Sequence, residues 1–331
     1  MKLGLVGTGR IGAHHAATLR SLVDSLVVTD ADLSRARSTA AALDVSCADD
    51  VDSLFATGLD GVVIAAATSA HPSLILRAVA AGVPVFCEKP VASDVPGTVA
   101  VVDALASSDV PVQIGFQRRF DVGYTAARDA VAAGELGWVH TVRATTMDPA
   151  PPPAAYVPTS GGFFRDCSVH DFDAIRWVTG RSVTEVYAVG ANRGAAFFRE
   201  AGDVDTAAAL LTLDDGTLGL VSGTRYNAAG YDVRLEVLGS AGDLVAGLDD
   251  RVPLWSAEPG VTWPGGPAYP GFLERFASAY QAELVVFVDV AAGRVPSPCT
   301  VQDALEAFYV AEACELSRRE HRPVALTEVR R

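Results

Sequence analysis

The chain has 331 residues, half of them hydrophobic, which is enough for a large core and predicts two domains. A formal net charge of −14 argues against a nucleic-acid partner, whose phosphates attract basic patches, and no charge-free apolar run reaches the roughly 20 residues that span a bilayer, so no membrane partner is expected. The N-terminus shows no signal-like segment, and the five cysteines (Cys47, Cys87, Cys167, Cys299, Cys314) lack metal or disulfide spacing, so a cytoplasmic protein with reduced thiols and no metal is expected.

The first 115 residues or so alternate short apolar runs with alanine-rich stretches. Strands are predicted at Leu3–Val6, Leu26–Thr29, Gly61–Ala65, Val83–Cys87 and Val112–Gly115. Helices are predicted from about Ile11 to Leu22, Leu33 to Leu43, Pro72 to Ala81 and Val95 to Ser107. Uniformly apolar strands alternating with helices mean a parallel sheet covered on both faces. The segment Gly7-Thr8-Gly9-Arg10-Ile11-Gly12 sits between the first strand and the first helix. There a Gly-x-Gly-x-x-Gly pattern gains meaning: the first glycine permits a tight turn, the second lets backbone approach a pyrophosphate, and the third lets helix and strand pack closely. Gly7, Gly9, Arg10, Ile11 and Gly12 are therefore candidate cofactor contacts.

Asp30 ends the second strand, 18 positions after Gly12. A carboxylate there accepts hydrogen bonds from adenosine ribose hydroxyls and repels a 2′-phosphate, which favours NAD over NADP. Asp32 competes for the role, and a helix-capping aspartate is the plain alternative for either. Lys89 follows the fourth strand in Cys87-Glu88-Lys89-Pro90, at the carboxyl edge of the sheet, where ligands collect in open α/β sheets. A solvated surface lysine is the plain alternative. Lys89–Pro90 is a candidate cis bond that the sequence does not decide.

From about Trp138 strand-like runs dominate: Val139–Thr145, Val183–Gly190, Thr206–Leu213, Thr217–Thr224 and Asp232–Gly239, with a hairpin signal at Asp215-Gly216. This predicts a second α/β domain with a mostly antiparallel sheet. The boundary is placed at residue 120, giving domains 1–120 and 121–331. An apolar sheet face built from Thr206–Leu213 and Thr217–Thr224 must be covered, by a second copy or by the chain's own helices. A helix is predicted from about Asp166 to Thr179. On it Asp166, His170 and Asp173 fall at i, i+4 and i+7 and share one face, so a carboxylate stands one turn from an imidazole that it can orient and make more basic. An N-cap aspartate beside a surface histidine is the plain alternative. After Gly271 the chain reads as helical to about Arg319, broken once at Gly293–Pro298.

These residues resemble the Gfo/Idh/MocA oxidoreductase family, and within it the inositol 2-dehydrogenase-like branch. The matching pieces are GTGRIG at Gly7–Gly12, CEKP at Cys87–Pro90, GFQRRFDVGY at Gly115–Tyr124 and DCSVHDFD at Asp166–Asp173, with a weaker match in GYDVRLEVLGSAG at Gly230–Gly242. The resemblance implies a Rossmann domain joined to an α/β domain whose open sheet mediates oligomerisation, a tetramer more than a dimer, with the C-terminal helices from about residue 300 returning to the first domain. It implies Lys89, Asp166 and His170 as the catalytic set. It places Ala66, Thr68, His71, Glu88 and Lys89 near the cofactor, and Arg118, Asp148, Tyr156, Asp173 and Tyr231 near a polyhydroxylated small-molecule substrate. Inositol-type members often carry asparagine where Asp148-Pro149 stands. The implied reaction is NAD-dependent oxidation of a secondary hydroxyl of a cyclitol, with His170 as base. Oxidation of an aldose by the same residues is the alternative. A non-catalytic dinucleotide sensor, or a hydride shuttle on tightly held NADP, would fit the glycine motif as well; the three reactive groups argue against the sensor and Asp30 against the shuttle.

Overall fold

The computed structural model describes residues 1–262 and 266–330. Two compact units emerge, residues 1–117 with 280–305, and residues 118–279 with 306–331. The last long helix, Val301–Glu320, is divided between them.

The first unit holds six strands, β1 (Lys2–Val6), β2 (Ser25–Thr29), β3 (Ser46–Cys47), β4 (Gly61–Ile64), β5 (Val85–Glu88) and β6 (Val112–Gly115). They are all parallel, in the order β3-β2-β1-β4-β5-β6. The chain thus reverses direction across the sheet between β1 and β4, the place where doubly wound folds open a crevice for a dinucleotide. Apolar side chains point to both faces, because helices cover both. Leu3, Leu5, Val28, Val63 and Phe86 form one core with Leu284, Phe287 and Val290 of the helix Ala277–Ala291. That helix comes from near the C-terminus, and its part in this core was not expected from chain order. Aspartates start three of the unit's helices: Asp32, Asp50 and Asp94 each accept backbone N–H bonds in the first turn that would otherwise lack partners. Pro72 lies in the first turn of His71–Ala80. The strand β3 and the helix Val51–Ala56 are additional to those the pattern predicts; two residues are too few to show a period.

The second unit holds β7 (Val139–Met147), β8 (Val183–Ala191), β9 (Thr206–Leu213), β10 (Leu218–Thr224), β11 (Asp232–Gly239), β12 (Asp243–Ala246) and β13 (Val324–Ala325). The order is β12-β11-β7-β10-β9-β8-β13, antiparallel except for the β7/β10 pair. β9 and β10 alternate strictly. Ala207, Ala209, Leu211 and Val221 are buried, whereas Leu210, Leu218 and Leu220 stand exposed on the other face with Tyr187 and Val189 of β8. Among the described residues, no helix covers these side chains.

One predicted element needs correction. The stretch Asp166–Thr179 is not one α-helix. Phe164–Ser168 forms a π-helical turn, and the α-helix runs from Val169 to Thr179, closed by Gly180 in the left-handed region. Asp166 and His170 thus lie on different segments, and the shared α-helical face inferred from their spacing does not exist. The entry to the turn explains this. Gly161 and Gly162 take φ of +85° and +92°, a conformation that favours glycine, and Asp203 Oδ1 accepts the Phe163 N–H at 2.9 Å. The backbone enters the helix already fixed by a partner 40 residues away, and a wider turn absorbs the mismatch.

Candidate active site

In the first unit the glycine segment is shaped by close approach. Gly7 has φ +96°, and a Cβ there would meet the Ala65 backbone; a Cβ on Gly12 would collide with the Gly7 carbonyl. Gly9 differs. A Cβ on it would find only Arg35 Nη1, at 3.8 Å, so the backbone at this point is open to a ligand. Gly9 precedes the helix Arg10–Leu19, whose first N–H groups form the positive end of a dipole suited to phosphate.

Asp30 and Asp32 face different donors. Asp32 is the helix cap: Oδ1 accepts from Ser34 N–H at 3.1 Å and Arg35 N–H at 3.3 Å. Asp30 faces the glycine turn. Its Oδ2 accepts from Thr8 N–H at 2.6 Å and Thr8 Oγ1 at 3.1 Å, and Oδ1 accepts from Asp32 N–H at 2.8 Å. Burial pushes the Asp30 carboxyl up, but the Thr8 and Asp32 amides, helped by Arg35, outweigh it and hold the group below the usual carboxylate range. An anion fixed at this point fits ribose hydroxyls. Arg35, half-exposed, lies 3.9 Å from Asp30 Oδ2.

Lys89 follows β5 directly, and its peptide bond to Pro90 is cis. His71 ties this turn to the segment after β4: Nδ1 lies 2.7 Å from Pro90 O and Nε2 3.0 Å from Ala66 O. A neutral imidazole donates to one of two such carbonyls. His71 is buried, while Ala66 and Thr68 are half-buried. Glu88, expected near the cofactor, points instead to His15 Nε2, at 2.6 Å. Glu283 completes a group with these two, one donor atom from each lying within 4.8 Å of the others. Burial, then the neighbouring Glu88, raise the Glu283 carboxyl well above its usual range. Separations of 73 and 195 positions from Glu88 put this group beyond sequence spacing.

In the second unit Arg225, just after β10, joins two of the expected residues, and a third bonds to one of them. Nη1 donates to Asp148 Oδ2 and Nη2 to Asp166 Oδ2, each at 2.7 Å. Tyr156 Oη donates to Asp166 Oδ1 at 2.8 Å. His170 is the second residue of the α-helix; the residue is half-buried and its Nδ1 is buried. Tyr231 is buried, and burial raises its phenol well above the usual range while Arg118 opposes the shift.

Arg118 and Asp173 sit differently from substrate-facing groups. Arg118 is 2% exposed and donates to Asp171, with Nη2 also 3.0 Å from Thr146 Oγ1. Asp173 is fully buried and accepts a two-bonded Arg119, Nε to Oδ2 at 2.9 Å and Nη2 to Oδ1 at 2.6 Å. These are parallel ion pairs that hold the helix Val169–Thr179 to the segment Gln117–Phe120. Asp171, Arg119 and Arg225 are the members that sequence reading missed. For the first two a signal existed: Arg118-Arg119 is an adjacent pair of positive charges, and Asp171 and Asp173 are negative charges two positions apart.

A parallel sheet with a β1/β4 reversal, an open glycine turn and a fixed carboxylate at the end of β2 define a dinucleotide-binding protein. Residues 1–116 match the oxidoreductase family with an NAD-binding Rossmann fold, and residues 124–245 match the GFO/IDH/MocA C-terminal domain. The chain is 41% identical to a myo-inositol dehydrogenase of Streptomyces leeuwenhoekii over 96% of its length and 97% of that protein's. Its structure resembles a myo-inositol dehydrogenase from Corynebacterium glutamicum (TM-score 0.88, 35% identity, 98% of each chain). It also resembles scyllo-inositol dehydrogenase from Lactobacillus casei with bound NAD(H) and scyllo-inositol (TM-score 0.88, 30% identity, 99% of each chain). The protein belongs to the Gfo/Idh/MocA oxidoreductase family.

Proposed function

We propose that this protein oxidises a secondary hydroxyl of an inositol to the ketone, with NAD as hydride acceptor. The observation that carries the reading is likeness along the whole chain to inositol dehydrogenases, including one whose structure holds NAD(H) and scyllo-inositol. The residues fit the cofactor: Gly9 leaves room for the pyrophosphate, and the ionised Asp30 suits ribose hydroxyls. Bound NAD supplies the carbon that takes the hydride. The chain's own groups handle the proton and the charge. His170 takes the hydroxyl proton at Nε2, since Nδ1 is shut away from solvent. Asp166 orients that imidazole and stabilises it when charged. Lys89 donates to the reacting oxygen as it becomes alkoxide-like. Tyr156 and Tyr231 offer hydroxyls to the remaining ring oxygens, while Arg118 and Asp173 shape the wall through their ion pairs.

We further propose that two copies pair through the exposed β8/β9/β10 face, as a dimer or within a tetramer. The register supports a self-complementary ladder: Leu210 stands opposite Tyr187 on one side and Leu220 on the other. Reduced cysteines, five of them with no disulfide, and described helices too short or polar to cross a membrane fit a cytoplasmic site of action.

The decisive experiment is a panel of cyclitols and pyranoses, each assayed for reduced-nicotinamide absorbance with NAD and with NADP. An inositol with NAD is expected to give the highest kcat/KM. A pyranose in that position would assign the protein to the aldose reading.

A further inference from the structure

Arg225 is 8% exposed, and its backbone N–H and both terminal nitrogens are held. Its backbone N–H donates to the Asp205 carbonyl at 2.8 Å. Its guanidinium lies 5.2 Å from the centroid of the Phe163 ring, the residue that enters the π turn. One terminal nitrogen reaches Asp148 and the other Asp166. Asp148 is itself fixed: its N–H donates to Thr224 O at 2.9 Å and its carbonyl accepts from Asn227 N–H at 2.7 Å. Because β7 and β10 are parallel neighbours with Met147 opposite Thr224, Asp148 and Arg225 leave the sheet side by side.

We propose that Arg225 is a positioning residue for the proton-transfer pair, holding the Asp166 carboxylate in one orientation, and that Asp148 is its counter-anchor rather than a reader of substrate hydroxyls. The proposal rests on the reading of His170 as base and Asp166 as its orienter. Asp166 is a short side chain on a π turn. A lone carboxylate there rotates about its last bond. Donors on opposite oxygens, Tyr156 on Oδ1 and Arg225 on Oδ2, fix its plane. The guanidinium is suited to this because its nitrogens lie in a rigid fork, so anchoring one arm on Asp148 sets the direction of the other. One arginine between two carboxylates also leaves the cluster one net negative charge, which remains to stabilise the imidazolium formed when His170 takes the proton. With asparagine at 148 the arginine would neutralise Asp166 outright.

The test is kinetic, on the full chain, with myo-inositol and scyllo-inositol as substrates. Arg225→Ala is expected to lower kcat by about 10²-fold, the cost of a misplaced catalytic group, while NAD affinity, read by nicotinamide fluorescence, stays unchanged. Guanidinium chloride well below denaturing concentration should return part of that turnover, and urea, alike in shape but uncharged, should not. Arg225→Lys should recover less than the full rate, because one ammonium cannot span both carboxylates. If Arg225→Ala fails to fold with two carboxylates stranded, Arg225→Ala with Asp148→Asn leaves one, and the same rescue is read there. Wild-type kcat in either variant, or a loss that guanidinium does not restore, overturns the proposal. His170→Ala separates this failure from that of the underlying reading. It should lower kcat by about 10²- to 10⁴-fold. Full turnover in it removes the base assignment itself, whereas lost turnover beside unaffected Arg225 variants removes only the role of Arg225.

Discussion

Two aspartates two positions apart at the end of β2 do different work because of the backbone groups they face. Asp32 looks forward along its own helix and caps it; Asp30 looks back across the sheet to Thr8 in the glycine turn. The pattern named Asp30 first but could not exclude Asp32, since both lie at plausible spacing. What separates them is a donor 22 positions away. The placement of Arg35 beside Asp30 leads to a prediction. With the Asp30 carboxylate gone, that guanidinium, which also lies 3.4 Å from Asp32 Oδ2, can donate to a 2′-phosphate. Asp30→Ala should weaken NAD and improve NADP, moving the kcat/KM ratio toward NADP by about tenfold or more, equivalent to roughly 1.4 kcal/mol. Equal losses with both cofactors would mean that Asp30 only braces the turn. Glu88 shows the opposite outcome at this scale. Although it is adjacent to Lys89, its carboxylate lies 2.6 Å from His15 Nε2.

At the scale of elements, periodicity located the strands well because most are five or more residues long and apolar in a pattern of one or two. It failed where an element's form depends on distant partners. β13 is two residues long and exists because β8, some 140 positions earlier, offers an edge. The π turn at Phe164–Ser168 was read as α-helix, since the spacing of Asp166, His170 and Asp173 suits one. Its cause lies in Gly161-Gly162 and in the Asp203 anchor, and Gly162 offers a test. Alanine there would carry φ +92° and place its Cβ 3.3 Å from Asp203 Oδ1. A left-handed conformation costs an L-residue about 1–2 kcal/mol. Gly162→Ala should therefore lower Tm and reduce kcat through Asp166, with NAD affinity retained. A variant of wild-type stability and turnover would show that the entry to the turn is not constrained.

At the scale of the whole molecule, two features concern parts of the chain that meet only after folding. The first is the buried Glu283. An unfolded glutamate titrates near its model-peptide value of 4.5, and in the folded unit burial and Glu88 raise Glu283 well above that. The folded state thus holds a proton that the unfolded state releases. The associated stability is fully present below the unfolded value and is lost as pH rises through the folded one. Glu283→Gln has no proton to lose. As pH rises above about 5 its Tm relative to wild type should climb; a difference independent of pH would show that Glu283 does not carry the proton. The second feature is the open sheet face. Leu210→Glu puts a charge at the centre of the Tyr187–Leu210–Leu220 ladder. Being exposed, the site should change the stability of a single copy by no more than about 0.5 kcal/mol. Sedimentation should nonetheless show a smaller assembly; an unchanged mass would place the interface elsewhere.

By itself the sequence determined the parallel sheet, the glycine turn, the second antiparallel sheet and the family, because each rests on local period or on residues within a few positions of one another. The tertiary structure alone decided which charges answer which. Asp166 faces Arg225 across 59 positions, Asp173 faces Arg119 across 54, and Glu88 faces His15 across 73. A buried charge must find an opposite charge or a donor, but nothing local in the chain says which, since the partner is chosen by the geometry of strands and helices once they have packed.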